Sequence, residues 1–176
     1  GLRPQRFADM HAMKWSKMVS NLFSNAASAI LDMSPLEVYS RPKLFLVEKA
    51  QIMETIAVMQ KMGLKVQNLP GLPLRLLVGL MQVLPNFILR PLLIQFVAKG
   101  RGDKMPSFYI EKMKGSRRSE VNYLNGAVAR FGANYGINTP VNKALTAILN
   151  EVLDSAESKH RYSRHPELLE RTILSS

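Results

Sequence analysis

The sequence predicts an all-α fold, and three observations carry the prediction. Apolar residues recur at helical intervals, serine or threonine followed by proline punctuates the chain where helices would begin, and no stretch of five or more residues alternates apolar and polar in a Val/Ile/Thr-rich context. From about Ala8 to Asp32, Met10, Met13, Met18, Leu22, Ala26 and Ala29 recur with no internal Pro or Gly, which predicts one long amphipathic helix. Ser34-Pro35-Leu36-Glu37 reads as a capping box with Pro at the first helical position, so a short helix begins there. Pro42 opens the next, through Leu46, Ala50, Met53, Ala57 and Val58 to Gly63, a glycine placed for a left-handed stop. Prolines 70, 73, 85, 91 and 106 divide the following apolar region, predicting short helices at Leu74 to Leu84 and Phe87 to Lys99. After a basic connection, Gly100-Arg101-Gly102-Asp103-Lys104, a helix is expected from Glu120 to Tyr135, closed by Gly136. Leu124, Ala127, Val128 and Phe131 share one of its faces, and Gly126 admits a close neighbour. Thr139-Pro140 caps a helix through Leu145, Ile148, Leu149 and Val152, and Pro166 starts the last.

Length and composition set bounds. With 176 residues, 47% apolar and 21% charged, the chain has the make-up of a folded domain, and its Pro-rich middle is too apolar to link two independent ones. Residues 1–176 are therefore expected to form a single helical domain. Twenty-four Lys and Arg against thirteen Asp and Glu leave +11, a surface that attracts anions. The absence of cysteine excludes a disulfide framework, a thiolate nucleophile and a Cys-ligated zinc, and fits a reducing cytoplasm. Gly1 to Arg6 lacks the apolar core of a signal peptide and reads as a mature end. Leu76 to Leu89 is uncharged, but it holds Pro85 and Asn86 between Arg75 and Arg90 and falls short of the roughly 20 residues a membrane span needs. Buried core helices are expected there, with an interfacial amphipathic helix as the other reading.

Lys17, Asn21 and Asn25 stand four apart behind Trp15, so on a continuous helix they climb one gently winding stripe. A cation followed by two carboxamides suits a small polar anion: Lys supplies charge and a transferable proton, and Asn supplies donors and acceptors. On spacing alone, a solvated polar face explains them as well. In the second region, Ser107 to Glu120, an acidic residue at a helix start complements the positive helix end. Lys112, Lys114, Arg117 and Arg118 could bind phosphate or be solvated surface. His11, His160 and His165 lack metal-ligand spacing, so no metal is expected. No G-x-G-x-x-G, G-x-x-x-x-G-K-[ST] or G-x-S-x-G occurs. The basic residues are scattered with few interleaved aromatics, so nucleic acid is not an expected partner.

Two segments together resemble one family. Trp15-Ser16-Lys17 through Asn21 and Asn25 is similar to the W-x-K-x-x-x-N-x-x-x-N motif that opens the C-terminal domain of ketopantoate reductases. Pro106-Ser107 through Glu111, Gly115, Ser119-Glu120-Val121, Leu124-Asn125-Gly126 and Gly136 through Asn142 resemble that family's S-x-x-x-D … G-R … T-E-I … I-N-G … G-x-x-x-P-x-N signature. The resemblance runs from about residue 8 to 153. It implies an all-helical domain like the C-terminal domain of 6-phosphogluconate dehydrogenase, packed in the family against an N-terminal Rossmann domain that this chain lacks.

By the same resemblance, Lys17 donates a proton to the substrate carbonyl oxygen as NADPH delivers hydride. Asn21 and Asn25 orient the 2-oxo acid and Ser107 binds its polar end. Glu120 acts near Lys17 and the substrate or the nicotinamide ribose, and so counts as both catalytic and cofactor-binding. Glu111 stands where the family has Asp, and one extra residue lies between Gly115 and Glu120, so an ungapped reading places Phe108 in the serine position. Residues 64–104 are longer and more apolar than a minimal member needs, which leaves the substrate open.

The reading that follows is the substrate-binding half of a cytoplasmic NADP(H)-dependent oxidoreductase of the 2-dehydropantoate 2-reductase type, serving pantothenate biosynthesis. This half is expected to be inactive alone, because the cofactor carries the hydride. A 2-oxo acid, the Rossmann domain and a second copy of the chain are its expected partners, and a membrane is not. The alternatives are a helical interaction or dimerisation module derived from that family, and a basic protein that binds anionic membrane surfaces through residues 69–99.

Overall fold

The chain folds as helices throughout, with no strand among the residues described. The structure, a computed structural model, describes residues 4–100, 105–115 and 119–174, with 4–9, 99 and 100 described by backbone alone. The elements are α1 (Pro4–Leu22), α2 (Asn25–Leu31), α3 (Pro35–Ser40), α4 (Pro42–Lys61), α5 (Leu74–Val83), α6 (Asn86–Gly100), α7 (Ser107–Met113), a 3-10 turn (Glu120–Asn122), α8 (Asn125–Tyr135), α9 (Pro140–Asp154), α10 (Ala156–Tyr162) and α11 (Pro166–Leu174).

Two apolar cores flank α4. Leu44 and Val47 face a core built with α2, α7, α9 and α11, where Ile30, Leu31, Phe108, Leu145, Leu149, Leu169 and Ile173 meet. Phe45, Ile52, Ile56 and Met59 face the other, with Trp15, Val19 and Leu22 of α1, Leu74, Val78 and Met81 of α5, and Leu89, Leu93 and Val97 of α6. A helix packed between two cores must be apolar around most of its girth, and α4 is. Every residue of α2 is buried, and its alanines 26, 27 and 29 let α7 and α9 approach closely.

Several local expectations hold. In the capping box, Ser34 Oγ accepts from Glu37 N (3.3 Å) and Glu37 Oε2 accepts from Ser34 N (2.7 Å). Gly63 takes φ +72° after α4, and Gly136 takes φ +69° after α8. The helices after Pro73 and Pro85 form with Pro91 inside α6, and Pro166 opens α11.

Three expectations are corrected. The long helix from Ala8 to Asp32 is broken at Phe23-Ser24, where Ser24 adopts φ +55°. The break is held by buried polar groups: Ser24 N donates to Glu48 Oε2 (2.7 Å), and the Gln51 side chain donates to the Leu22 carbonyl (3.2 Å). The helix expected from Glu120 is a 3-10 turn, started by Ser119 Oγ accepting from Val121 N (3.1 Å), followed by a kink at Leu124 and then α8. The apolar stretch around Leu76 to Leu89 is only half core: Leu77, Val78, Met81 and Leu89 are buried, whereas Val83 (81% exposed) and Phe87 (78%) stand in solvent. No helix among the described residues is long and apolar enough to cross a membrane. The loop 101–104 and Arg117 and Arg118 of the basic cluster lie outside the described residues.

Candidate active site

Lys17 and Asn21 lie on the unbroken part of α1, four residues apart and therefore on one face about 6 Å apart along the axis. Lys17 is exposed and Asn21 half-buried. Trp15, behind them, is buried and meets the Phe131 ring of α8 edge-on at 5.3 Å.

Asn25 departs from the expected stripe. It opens α2 on the far side of the break, is 4% exposed, and both ends of its carboxamide are engaged. Its Nδ2 donates to the Asn21 carbonyl (3.1 Å), one of the acceptors left open where α1 ends, and to Ser107 Oγ (3.1 Å). Its Oδ1 accepts from Phe108 N (3.0 Å) at the start of α7. Asn25 thus joins the end of α1 to the hydroxyl that begins α7, and a third carboxamide on the outward stripe is replaced by a fastener. Ser107 is exposed and bonded to Asn25, while Phe108 is buried in the core.

Glu120 is exposed at the start of the 3-10 turn, and its backbone N–H donates to Glu111 Oε2 (3.4 Å). Glu111 is one helical turn beyond Ser107 on α7, so Ser107, Glu111 and the Glu120 backbone follow one side of that helix. Hydrogen bonds thus join the Asn21 carbonyl, Asn25 and Ser107, the Glu120 backbone N–H is bonded separately to Glu111 of α7, and Lys17 lies one turn before Asn21.

Other side chains hold this framework. Lys112 is buried, its Nζ donating to the Ala29 carbonyl (2.8 Å) and to Asp32 Oδ1 (2.6 Å), so it pins α7 to the C-terminus of α2. Burial pushes the Lys112 ammonium below its ordinary value, against the opposing pull of Asp32. Both readings of the basic cluster, phosphate binding and solvated surface, are thereby corrected for this lysine.

A second buried group sits under α8 and α9. Asn125 Nδ2 donates to Gln51 Oε1 (2.9 Å) and Asn142 Oδ1 (3.0 Å), while Asn142 Nδ2 donates to Glu54 Oε2 (2.7 Å). Glu54 also accepts from the backbone N–H groups of Val141 (2.8 Å) and Asn142 (2.9 Å), capping α9 in place of Thr139, whose side chain makes no cap bond. Burial raises the Glu54 pKa, against the three hydrogen bonds that favour the carboxylate. Sequence reasoning passed over Gln51 and Glu54, and took Lys112 as part of a phosphate-binding or solvated basic cluster. No local signal marks Gln51 and Glu54, since the same helix also carries Lys43, Glu48, Lys49, Gln60 and Lys61.

The comparisons with known proteins bear on fold and family. A 2-dehydropantoate 2-reductase of Archaeoglobus fulgidus is 24% identical over 152 residues, covering 86% of this chain and 44% of the relative. A PanE/ApbA family ketopantoate reductase from Ralstonia eutropha superposes with TM-score 0.61 at 24% identity, over 83% of this chain and 41% of that one. D-mandelate dehydrogenase, solved with NADH, superposes with TM-score 0.60 at 22% identity, over 82% and 43% of the two chains. The chain spans under half the length of the relatives it matches. The motif residues on α1, α7, α8 and α9 all fall within residues 9–153, the span matched by the family described as "Ketopantoate reductase PanE/ApbA C terminal", and the chain belongs to that family.

Proposed function

We propose that this chain is the substrate-binding, proton-donating part of an NADPH-dependent 2-oxo acid reductase of the 2-dehydropantoate 2-reductase type. One observation supports the reading: the Asn25 carboxamide ties the end of the helix bearing Lys17 and Asn21 to the Ser107 hydroxyl, 82 residues further along the sequence. The Glu120 backbone N–H is held by Glu111, one helical turn beyond Ser107 on α7. Family membership supports the same assignment of roles.

The reduced dinucleotide supplies a hydride to the oxo carbon when bound. Negative charge then grows on the carbonyl oxygen, and an ammonium within hydrogen-bond reach favours that state over the starting ketone. Lys17 holds this position and gives up its proton there. Asn21 and Ser107 bind the acid's polar groups, Asn25 sets the position of Ser107, and Glu120 borders both substrate and ribose. The exposure of Lys17, Ser107 and Glu120 fits a cofactor presented from outside the helical domain. A dinucleotide-binding domain of Rossmann type is the partner that closes the cleft, and the NADH-bound D-mandelate dehydrogenase supports the cofactor class.

The test is NADPH oxidation with 2-oxo acids, ketopantoate included, by the enzyme that carries both domains. Lys17→Ala is expected to lower kcat by about 10²- to 10⁴-fold with the far-UV spectrum unchanged. Turnover that survives this substitution, or no turnover with any 2-oxo acid, overturns the reading.

A further inference from the structure

Between Glu54 and Asp103 the sequence holds six basic residues, Lys61, Lys65, Arg75, Arg90, Lys99 and Arg101, and no acidic one. This segment forms α5 and α6 and leaves much of its apolar surface outside the core: Leu76, Val83, Phe87, Ile88 and Leu92 are exposed. Leu76 and Val83, seven positions apart, share one face of α5. Phe87 and Ile88 each lie one turn before another exposed residue of α6, Pro91 and Leu92. Val83 and Phe87 flank the turn at Leu84-Pro85, so both helices bring apolar side chains to one corner. Single exposed apolar residues need no explanation, but a cluster rimmed by polar groups marks an interaction surface.

Basic side chains rim the corner. Arg90 lines a groove with Leu46 and Phe87, and Lys65 and Arg75 line another beside α5. Lys49 reaches the first residue of α6, its Nζ donating to Asn86 Oδ1 (2.8 Å). The acids of the bordering helices α3 and α4 are engaged elsewhere: Glu37 pairs with Arg164, Glu48 is buried, and Glu54 caps α9. The face therefore combines apolar side chains with net positive charge. A second copy docked through the same face would set these cations against one another, which disfavours that occupant. Anionic headgroups over acyl chains complement both features at once.

We propose that the α5–α6 corner docks on an anionic lipid surface, with Val83 and Phe87 entering between headgroups and Arg75 and Arg90 meeting their charges. The contact is interfacial, since no helix among the described residues is long and apolar enough to cross a membrane. Phe87 lies ten residues before Val97, about 15 Å along α6, and it is Val97, with Phe96, that approaches the end of α1 at Ser20. The corner thus stands apart from the end of α1. The proposal adds the anionic-surface reading of residues 69–99 to the reductase reading and does not depend on it.

The experiment sediments the enzyme that carries both domains with vesicles of phosphatidylcholine alone and of phosphatidylcholine with phosphatidylserine. The expected result is binding to the anionic vesicles about tenfold tighter or more than to the neutral ones, weakening as salt is added. Val83→Ser with Phe87→Ser is expected to lower that affinity about 10- to 100-fold with Tm unchanged. Arg75→Gln with Arg90→Gln is expected to lower it about fivefold for each charge removed and to leave binding to neutral vesicles as it was. Equal binding to both vesicle types, no binding to either, or anionic binding that survives either pair of substitutions overturns the proposal. So does a dimer in sedimentation velocity that Val83→Ser with Phe87→Ser dissociates, because a second copy then covers the corner. The readout needs no turnover, so a failure of the reductase reading leaves it intact.

Discussion

Lys112 shows how one side chain holds the site without belonging to it. Its ammonium lies against the C-terminal end of α2, where the helix dipole is negative and Asp32 adds a carboxylate. Lys112→Met leaves both without their cation, and since Asp32 retains some solvent and the Ser163 hydroxyl (2.6 Å), a loss of about 3 kcal/mol is expected rather than more. Urea unfolding measures it, and adding Asp32→Asn should recover part of the loss. Glu54 makes the complementary case. A carboxyl whose pKa is raised on folding contributes stability that is complete below the unfolded value of 4.5 and is lost as pH climbs through the raised value. Glu54→Gln puts an amide NH₂ where one oxygen accepted from backbone or Asn142 donors, so it should cost about 1–3 kcal/mol. The wild-type advantage should narrow as pH rises above 4.5 through the raised pKa, which denaturant titrations of both proteins at several pH values would follow. None of this was legible in the sequence, because a lysine or glutamate in a helix gives no sign of the chain that covers it.

Helix boundaries were legible where the stop is local and illegible where it is tertiary. Ser34-Pro35, Gly63 and Gly136 act through their own backbone preferences, and the structure places each as expected. The break at Ser24 has no Pro or Gly to announce it. It exists because Glu48 and Gln51 of α4 and the Asn25 amide take up the backbone groups that a continuous helix would have paired internally. The same break turns Asn25 inward, so the expected stripe of three became two outward groups and a fastener. The α8–α9 corner offers a test at this scale. A Cβ on Gly132 would stand 2.8 Å from the Ile137 carbonyl oxygen and 2.8 Å from Thr139 Cγ2. Gly132→Ala should therefore destabilise by about 1–3 kcal/mol despite its better helix propensity. Gly79→Ala in α5, where a Cβ meets nothing within 4 Å, should stabilise by about 0.5–1 kcal/mol. Paired thermal melts decide both, and a rise in Tm for Gly132→Ala would contradict the packing described here.

Across the whole molecule, the two cores on either side of α4 set which apolar residues matter. Leu77 and Leu89 are buried, and Leu→Ala at either is expected to cost about 2–5 kcal/mol. Val83→Lys and Phe87→Lys, at the exposed corner of α5 and α6, should shift stability by no more than about 0.5 kcal/mol. Comparing the four by urea unfolding separates the half of this apolar stretch that builds the core from the half that faces out. Composition could not separate them, since all four residues are apolar and lie within thirteen positions of one another.

What the sequence determined by itself was the helical class, the local starts and stops, and the family, because periodicity, capping chemistry and motif spacing are written along the chain. What only the tertiary structure decided was the direction in which each polar side chain turned. Lys17 stayed in solvent, Asn25 became a buried tie to Ser107 and Glu54 replaced Thr139 as a cap, since a buried hydrogen-bonding group takes the partner that packing brings to it.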